Sequence, residues 1–283
     1  MKIKEVAVLG AGSMGNGIAQ VTAQAGYPVV LYDIDPGSLE RGLANIRKML
    51  VTAVQKGKTD QAAADATLAR ITPVTDLARV ASAQLVIEAV PENLDLKTTV
   101  FRQADILCPP ETIIASNTSS LPIASLAAAT GRPDKVLGMH FMNPVPLMKG
   151  VELIRSRMTA DEPFDLCAQF ITSLGKTPVE AVDYAGFVVS RVLDVMLNEA
   201  VFAVMDGNKP EEIDKAMKVC TNFPMGPLEL IDLAGADILL NVMEIMEQEF
   251  GDKYRPAPLL RQMVRAGHTG RKAGKGFYDY TGK

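Results

Sequence analysis

The chain has 283 residues, 48% hydrophobic and 22% charged, which is the balance of a globular protein and not of a disordered one. At about 150 residues per domain it has room for two domains or one large one. A formal net charge of −4 argues against a non-specific nucleic-acid binder, so any anionic ligand needs a local basic patch.

The opening Met-Lys-Ile-Lys-Glu leads straight into an apolar run and lacks the h-region of a signal peptide. No apolar run approaches the roughly 18–20 residues of a membrane span. Cys108, Cys167 and Cys220 lie far apart and are odd in number, which argues against a disulfide framework and for a reducing cytoplasm. Short β-branched or aliphatic runs predict buried strands at Val6–Leu9, Val29–Asp33, Leu85–Val90, Thr112–Ser116 and Val136–Phe141. Helical stretches fit between them: one opened by Ser13 and running to Gly26, one begun by Pro36, and one over Glu92–Leu107. Val151–Ile154 and Pro178–Val182 read as two further strands around a helix near Asp165–Leu174. Such alternation implies a parallel sheet covered by helices on both faces. Beyond Asp183-Tyr184-Ala185-Gly186 the strand punctuation stops. Helices are expected over Phe187–Val204, Pro210–Cys220, Leu228–Phe250 and Leu259–Arg265, so the domains are expected at 1–185 (α/β) and 186–283 (all helical).

Residues 6–15 read Val-Ala-Val-Leu-Gly10-Ala-Gly12-Ser13-Met14-Gly15. Gly-x-Gly-x-x-Gly alone is a weak signal, but here it follows a strand and opens a helix. Gly10 allows the tight turn, Gly12 admits a pyrophosphate to the backbone, and Gly15 lets helix and strand pack closely. The N–H groups of the first helical turn then face the phosphates. Asp33, 18 residues after Gly15, suits the adenosine ribose hydroxyls and repels a 2′-phosphate, which favours NAD over NADP. A flavin is the rival cofactor, and the polar groups downstream favour a nicotinamide. No cysteine pairs with a histidine at metal-ligand spacing, so no metal site is expected. No tyrosine has a lysine four residues later, so the acid–base group must be sought elsewhere.

His140 falls at the carboxyl end of the run Val136–Phe141, where open α/β sheets bind ligands, and leads into Met142-Asn143-Pro144-Val-Pro146. It reads either as a core histidine satisfied by a carbonyl or as the group that takes a hydroxyl proton while hydride leaves the same carbon. Ser116-Asn117-Thr118-Ser119-Ser120 stands at a second strand end. It either caps a helix beginning near Leu121 or supplies donors to a developing alkoxide. Glu152 interrupts an apolar strand twelve residues past His140; it is either exposed or the carboxylate that fixes the histidine tautomer. Arg41, Arg47, Lys48, Lys56 and Lys58 have no acidic residue among them over 41–58. Either they form a solvated helix face or, in a chain of net −4, they meet a polyphosphate such as coenzyme A.

Taken together, the glycine-rich turn, Ser116–Ser120, His140-Phe-Met-Asn-Pro-Val-Pro146, Val151-Glu152, Met225-Gly-Pro-Leu-Glu-Leu230 and Gly274-Lys-Gly-Phe-Tyr278 resemble the L-3-hydroxyacyl-CoA dehydrogenases. Within that family the chain is most similar to the short bacterial 3-hydroxybutyryl-CoA dehydrogenases. The resemblance implies a Rossmann-type, doubly wound, mostly parallel sheet and then an all-helical domain that binds substrate and forms a homodimer, with the active site in the cleft between the domains. It implies reversible oxidation of an (S)-3-hydroxyacyl-CoA by NAD, with the C4 substrate expected. By motif position His140 is the general base, Glu152 its orienting carboxylate, and Ser119 the partner of the substrate 3-oxygen. Glu92, Lys97, Ser119, Asn143 and Lys272 fall on cofactor-contacting positions, and Lys56 on a lysine that contacts coenzyme A, with Arg47 and Lys48 beside it in sequence. The family asparagine that touches substrate is replaced here by Ser190, which has a shorter reach and a single hydroxyl. A dehydrogenase of free hydroxy or sugar acids, of the gulonate type, and a non-catalytic crystallin-like dinucleotide binder are the alternatives. His140, Glu152 and Ser119 argue against the second, and the basic stretch against the first.

Overall fold

In the computed structural model, which describes residues 2–282, the apolar runs become strands β1 (Val6–Leu9), β2 (Val29–Tyr32), β3 (Ile71–Val74), β4 (Leu85–Glu88), β5 (Ile113–Ser116), β6 (Val136–Phe141), β7 (Gly150–Arg155) and β8 (Thr177–Val182). They form a sheet in the order β3-β2-β1-β4-β5-β6-β7-β8. Every residue of β1, β4, β5 and β6 is buried, which explains why these strands read as unbroken apolar runs and not as alternating ones. Strand order reverses between β1 and β4, and that switch point opens a crevice at the carboxyl ends of the strands. All pairings are parallel except β6 with β7, which puts His140 directly opposite Glu152.

The helices of this unit are α1 (Ser13–Gln24), α2 (Pro36–Gln55), α3 (Gln61–Ala69), α4 (Leu94–Leu107), α5 (Ile123–Ala127) and α6 (Asp161–Ser173). In α2, Asp35 accepts the Gly37 and Ser38 N–H groups, Pro36 takes the first turn, and Leu39, Ile46 and Leu50 form the buried stripe. Asn93 caps α4 through Leu96 N–H, so that helix starts after Glu92 and not at it. Two elements give little sequence signal. Strand β3 lies at the sheet edge, carries Pro73, and has two of its four side chains exposed. Helix α3 buries only Ala64 and Thr67, so no apolar stripe marks its period.

The chain divides after Asp183. The second unit contains α7 (Val189–Met205), α8 (Pro210–Thr221), α9 (Pro227–Ala234), α10 (Ala236–Phe250) and α11 (Pro258–Arg265) around a core that includes Leu197, Val201, Leu228, Ile231, Met243 and Leu260. Phe187 has φ of 46°, so α7 begins at Val189 and not at Phe187. The single helix expected over Leu228–Phe250 is two, broken at Gly235, whose φ of 116° an α-helix excludes. Among the described residues no helix is long and apolar enough to cross a membrane.

Two motifs of this unit serve its fold. In Met225–Leu230, Gly226 N–H donates to Glu229 at 3.1 Å, while buried Asp214 accepts the Leu228 and Glu229 N–H groups at 2.8 and 3.0 Å, together capping α9. In Gly274–Tyr278, Phe277 and Tyr278 donate backbone N–H groups to buried Asp232 at 2.9 and 3.0 Å, and the Tyr278 hydroxyl reaches Asp214 at 2.6 Å.

Candidate active site

The glycine-rich turn sits at the switch point. Gly10 has φ of 102°, and a Cβ there would stand 2.6 Å from the Ala89 carbonyl oxygen at the end of β4. A Cβ on Gly15 would fall 1.7 Å from the Gly10 carbonyl oxygen. Neither position admits a side chain. Gly12 is different, because a Cβ there meets nothing within 4 Å and the backbone faces open space. Gly12 and Ser13 are exposed, Met14 is half-buried, and no side chain caps α1, so its first N–H donors face outward. Ala11, Gly12, Ser13, Asn16, Ser38 and Arg41 line a cavity of about 230 Å³. Asp33 braces it from β2, accepting Ala11 N–H at 2.8 Å and Asp35 N–H at 3.0 Å. Outward helix donors, an open glycine face and a carboxylate at the second strand end fit a dinucleotide.

A histidine–carboxylate pair comes from the antiparallel pairing of β6 with β7. His140 Nδ1 lies 2.8 Å from Glu152 Oε2, with His140 8% and Glu152 1% exposed. The carboxylate accepts the Nδ1 proton, which selects the tautomer and leaves proton exchange to Nε2. Of the two readings of Glu152, the exposed one is thereby excluded. Asn117 Oδ1 accepts the Phe141 N–H at 2.9 Å and ties the end of β5 to the histidine strand. Asn143 is exposed in the following loop, and buried Lys176 fastens that loop by donating to the Val145 and Met148 carbonyls at 2.6 Å each. Burial pushes the Lys176 ammonium below its ordinary pKa.

The serine cluster does not cap the next helix through its own hydroxyls. Asp183 does so, accepting the Ile123 and Ala124 N–H groups at 2.8 and 2.7 Å. Thr118 folds the turn back, accepting Leu121 N–H at 3.0 Å. Ser119, half-buried, donates its N–H to Glu92 at 3.1 Å, and the Thr118 hydroxyl also donates to Glu92. Lys97 is 1% exposed, and its ammonium meets Glu88 at 2.6 Å, the Val90 carbonyl at 3.1 Å and Glu92 at 3.2 Å. Glu88 carries no reading in the sequence analysis, although the reasoning applied to His140, a polar residue ending an apolar strand, points to it equally.

Arg47, Lys48, Lys56 and Lys58 are exposed and enter no ion pair among the described residues, whereas Arg41 pairs with Asp35 at 3.2 Å. In the second unit Ser190 is buried and donates to the half-buried Asp194 carboxylate. Burial pushes Asp194 up to about 7, the Ser190 hydrogen bond opposing it. Lys272 pairs with Asp237 at 2.6 Å.

A family model described as 3-hydroxyacyl-CoA dehydrogenase, NAD binding domain, matches residues 5–184, and one described as 3-hydroxyacyl-CoA dehydrogenase, C-terminal domain, matches residues 186–280. The chain is 49% identical over 285 residues to a probable 3-hydroxybutyryl-CoA dehydrogenase of Bacillus subtilis, covering 100% of this chain and 99% of that one. It is 45% identical over 282 residues to a 3-hydroxybutyryl-CoA dehydrogenase of Bradyrhizobium diazoefficiens, with 99% and 96% covered. The crystal structure of (S)-3-hydroxybutyryl-CoA dehydrogenase PaaH1 from Ralstonia eutropha matches with a TM-score of 0.93 at 45% identity, over 99% of this chain and 100% of that one.

Proposed function

The chain belongs to the 3-hydroxyacyl-CoA dehydrogenase family, and from that premise we propose that it interconverts (S)-3-hydroxybutyryl-CoA and acetoacetyl-CoA. It is an NAD-dependent oxidoreductase. The cofactor, when bound, supplies or accepts the hydride at C3 of the acyl chain. Gly10, Gly12, Ser13, Met14, Gly15 and Asp33 hold its adenosine and pyrophosphate, while Glu92 with Lys97 behind it, Ser119, Asn143 and Lys272 serve the nicotinamide side. His140 takes the hydroxyl proton in oxidation and returns it in reduction, through Nε2. Glu152 fixes the imidazole plane and stabilises the imidazolium that forms. Ser119 hydrogen-bonds the 3-oxygen, so two donors meet the charge that develops there.

The observation that carries this reading is the 2.8 Å contact between His140 and Glu152, both buried, at a strand end of a dinucleotide-binding sheet. Lys56, with Arg47 and Lys48, meets the phosphates of coenzyme A, which supports a thioester over a free hydroxy acid. Ser190, committed to Asp194, touches the substrate less directly than an asparagine would. Residues 186–283 bind substrate and form a homodimer; Val192, Val219 and Ile238, exposed at 69%, 73% and 52%, supply apolar contact area. Three free cysteines suit a cytoplasmic location.

The test is NADH consumption with acetoacetyl-CoA, beside free acetoacetate and beside NADPH. Consumption with the thioester and NADH alone is expected. Equal rates with free acetoacetate would contradict the role given to coenzyme A.

A further inference from the structure

Glu88 ends β4 where the strand order reverses, and it is fully buried. Its Oε1 accepts from Lys97 Nζ at 2.6 Å and from Val90 N–H at 2.7 Å, and its Oε2 accepts from the Ser116 hydroxyl at 2.6 Å. Each partner leads to another part of the site. Lys97 continues to Glu92, which receives the Ser119 N–H at 3.1 Å and the Ser120 hydroxyl at 3.3 Å. Ser116 Oγ accepts Thr118 N–H at 3.2 Å, so the serine turn is held from both ends. The Glu88 carbonyl accepts Asn117 N–H at 2.8 Å, and Asn117 in turn holds Phe141, next to His140.

A buried ion pair is a poor stabilising device in itself, because apolar residues of similar volume do as well or better. Three charged side chains are nonetheless gathered here, exposed by 0% at Glu88, 2% at Lys97 and 23% at Glu92, so that only the last reaches solvent. Burial pushes the Glu88 carboxyl above its ordinary pKa, and the Lys97, Ser116 and Val90 donors oppose that shift. We propose that Glu88 is a positioning residue of the dehydrogenase: through Lys97 and Glu92 on one side and Ser116 on the other, it holds the Ser119 turn at a fixed distance from the histidine strand. The inference rests on the roles given to Ser119 and His140 above. Glu88→Gln preserves shape, removes the charge that meets Lys97, and places an NH₂ where an acceptor is required. Ser116→Ala cuts one arm and leaves the ion pair intact.

Both variants are compared with wild type by titrating NADH binding, which counts folded sites, and by expressing kcat and KM per site. Glu88→Gln is expected to lower kcat by about tenfold or more, because small displacements of reacting groups are costly. KM for acetoacetyl-CoA stays within about threefold, since uniform binding is untouched. Ser116→Ala is expected to lower kcat severalfold with the same KM, and it decides the matter if Glu88→Gln does not fold. Values of kcat per site indistinguishable from wild type, whatever the melting temperature, overturn the proposal and leave Glu88 a structural residue. A wild-type chain that binds NADH yet leaves acetoacetyl-CoA unreduced overturns the dehydrogenase reading first, before any variant is made, and the inference with it.

Discussion

His140 and Glu152 meet as a buried pair because a two-residue period and an antiparallel register bring them to the same face at the same height. Their separation of twelve residues does not show this, and the alternating apolar runs argue for parallel neighbours. The sequence therefore singles out each residue by its place in an apolar strand, while the pairing depends on β7 running backwards. Lys176 illustrates the opposite case: its partners are the Val145 and Met148 carbonyls, close in space but distant in sequence, which no local pattern records. Asp194 supports a prediction at this scale. Burial moves its carboxyl from the ordinary 3.8 to about 7, so the folded chain holds a proton that the unfolded chain releases above 3.8. Its contribution to stability is complete below 3.8 and is lost as pH rises through about 7. Asp194→Asn keeps a neutral side chain at every pH. Denaturant unfolding should show the variant gaining on wild type between about pH 4 and 7 and holding a constant lead above about pH 8. Parallel pH curves for the two proteins would remove Asp194 from the account.

Among the elements, the loop after β6 connects the histidine to Asn143, and it is held by Lys176 at the start of β8. Two carbonyls share that ammonium, and among the described residues no carboxylate pairs with it. Lys176→Met leaves both carbonyls without their donor, which should cost about 1–3 kcal/mol in urea unfolding. It should also raise KM for NADH more than it lowers kcat, because Asn143 is displaced while the His140–Glu152 contact stays. Unchanged stability and KM would mean the loop holds itself. The central strands and α1, α2 and α4 were legible because buried parallel strands read as apolar runs and Ser13 and Pro36 open α1 and α2, while the Asn93 cap starts α4 two residues later than the expected Glu92. Strand β3 and helix α3 were not, since one is an exposed edge with Pro73 and the other an alanine-rich helix without an apolar stripe. Gly235 was visible as a glycine, but only its φ of 116° shows that it ends one helix and begins the next.

For the whole molecule, charge is the useful quantity. A chain of net −4 repels a coenzyme A ester on average, and the role proposed for the exposed Arg47, Lys48 and Lys56 is to offset that repulsion locally. Raising ionic strength should raise KM for acetoacetyl-CoA more than KM for NADH, because exposed charges are screened. Lys48→Glu with Lys56→Glu should raise the thioester KM by about tenfold at low salt and flatten its salt dependence. A salt response unchanged in that double variant would place the thioester elsewhere. The central claim, however, concerns proton transfer by the His140–Glu152 pair, and single-turnover reduction of acetoacetyl-CoA by prebound NADH tests it most directly. His140→Gln should slow that single turnover by about 10²–10⁴-fold while NADH affinity changes only slightly. A variant that reduces the thioester at the wild-type rate, or that loses NADH binding in proportion to its rate, would contradict the assignment of His140 as the acid–base group.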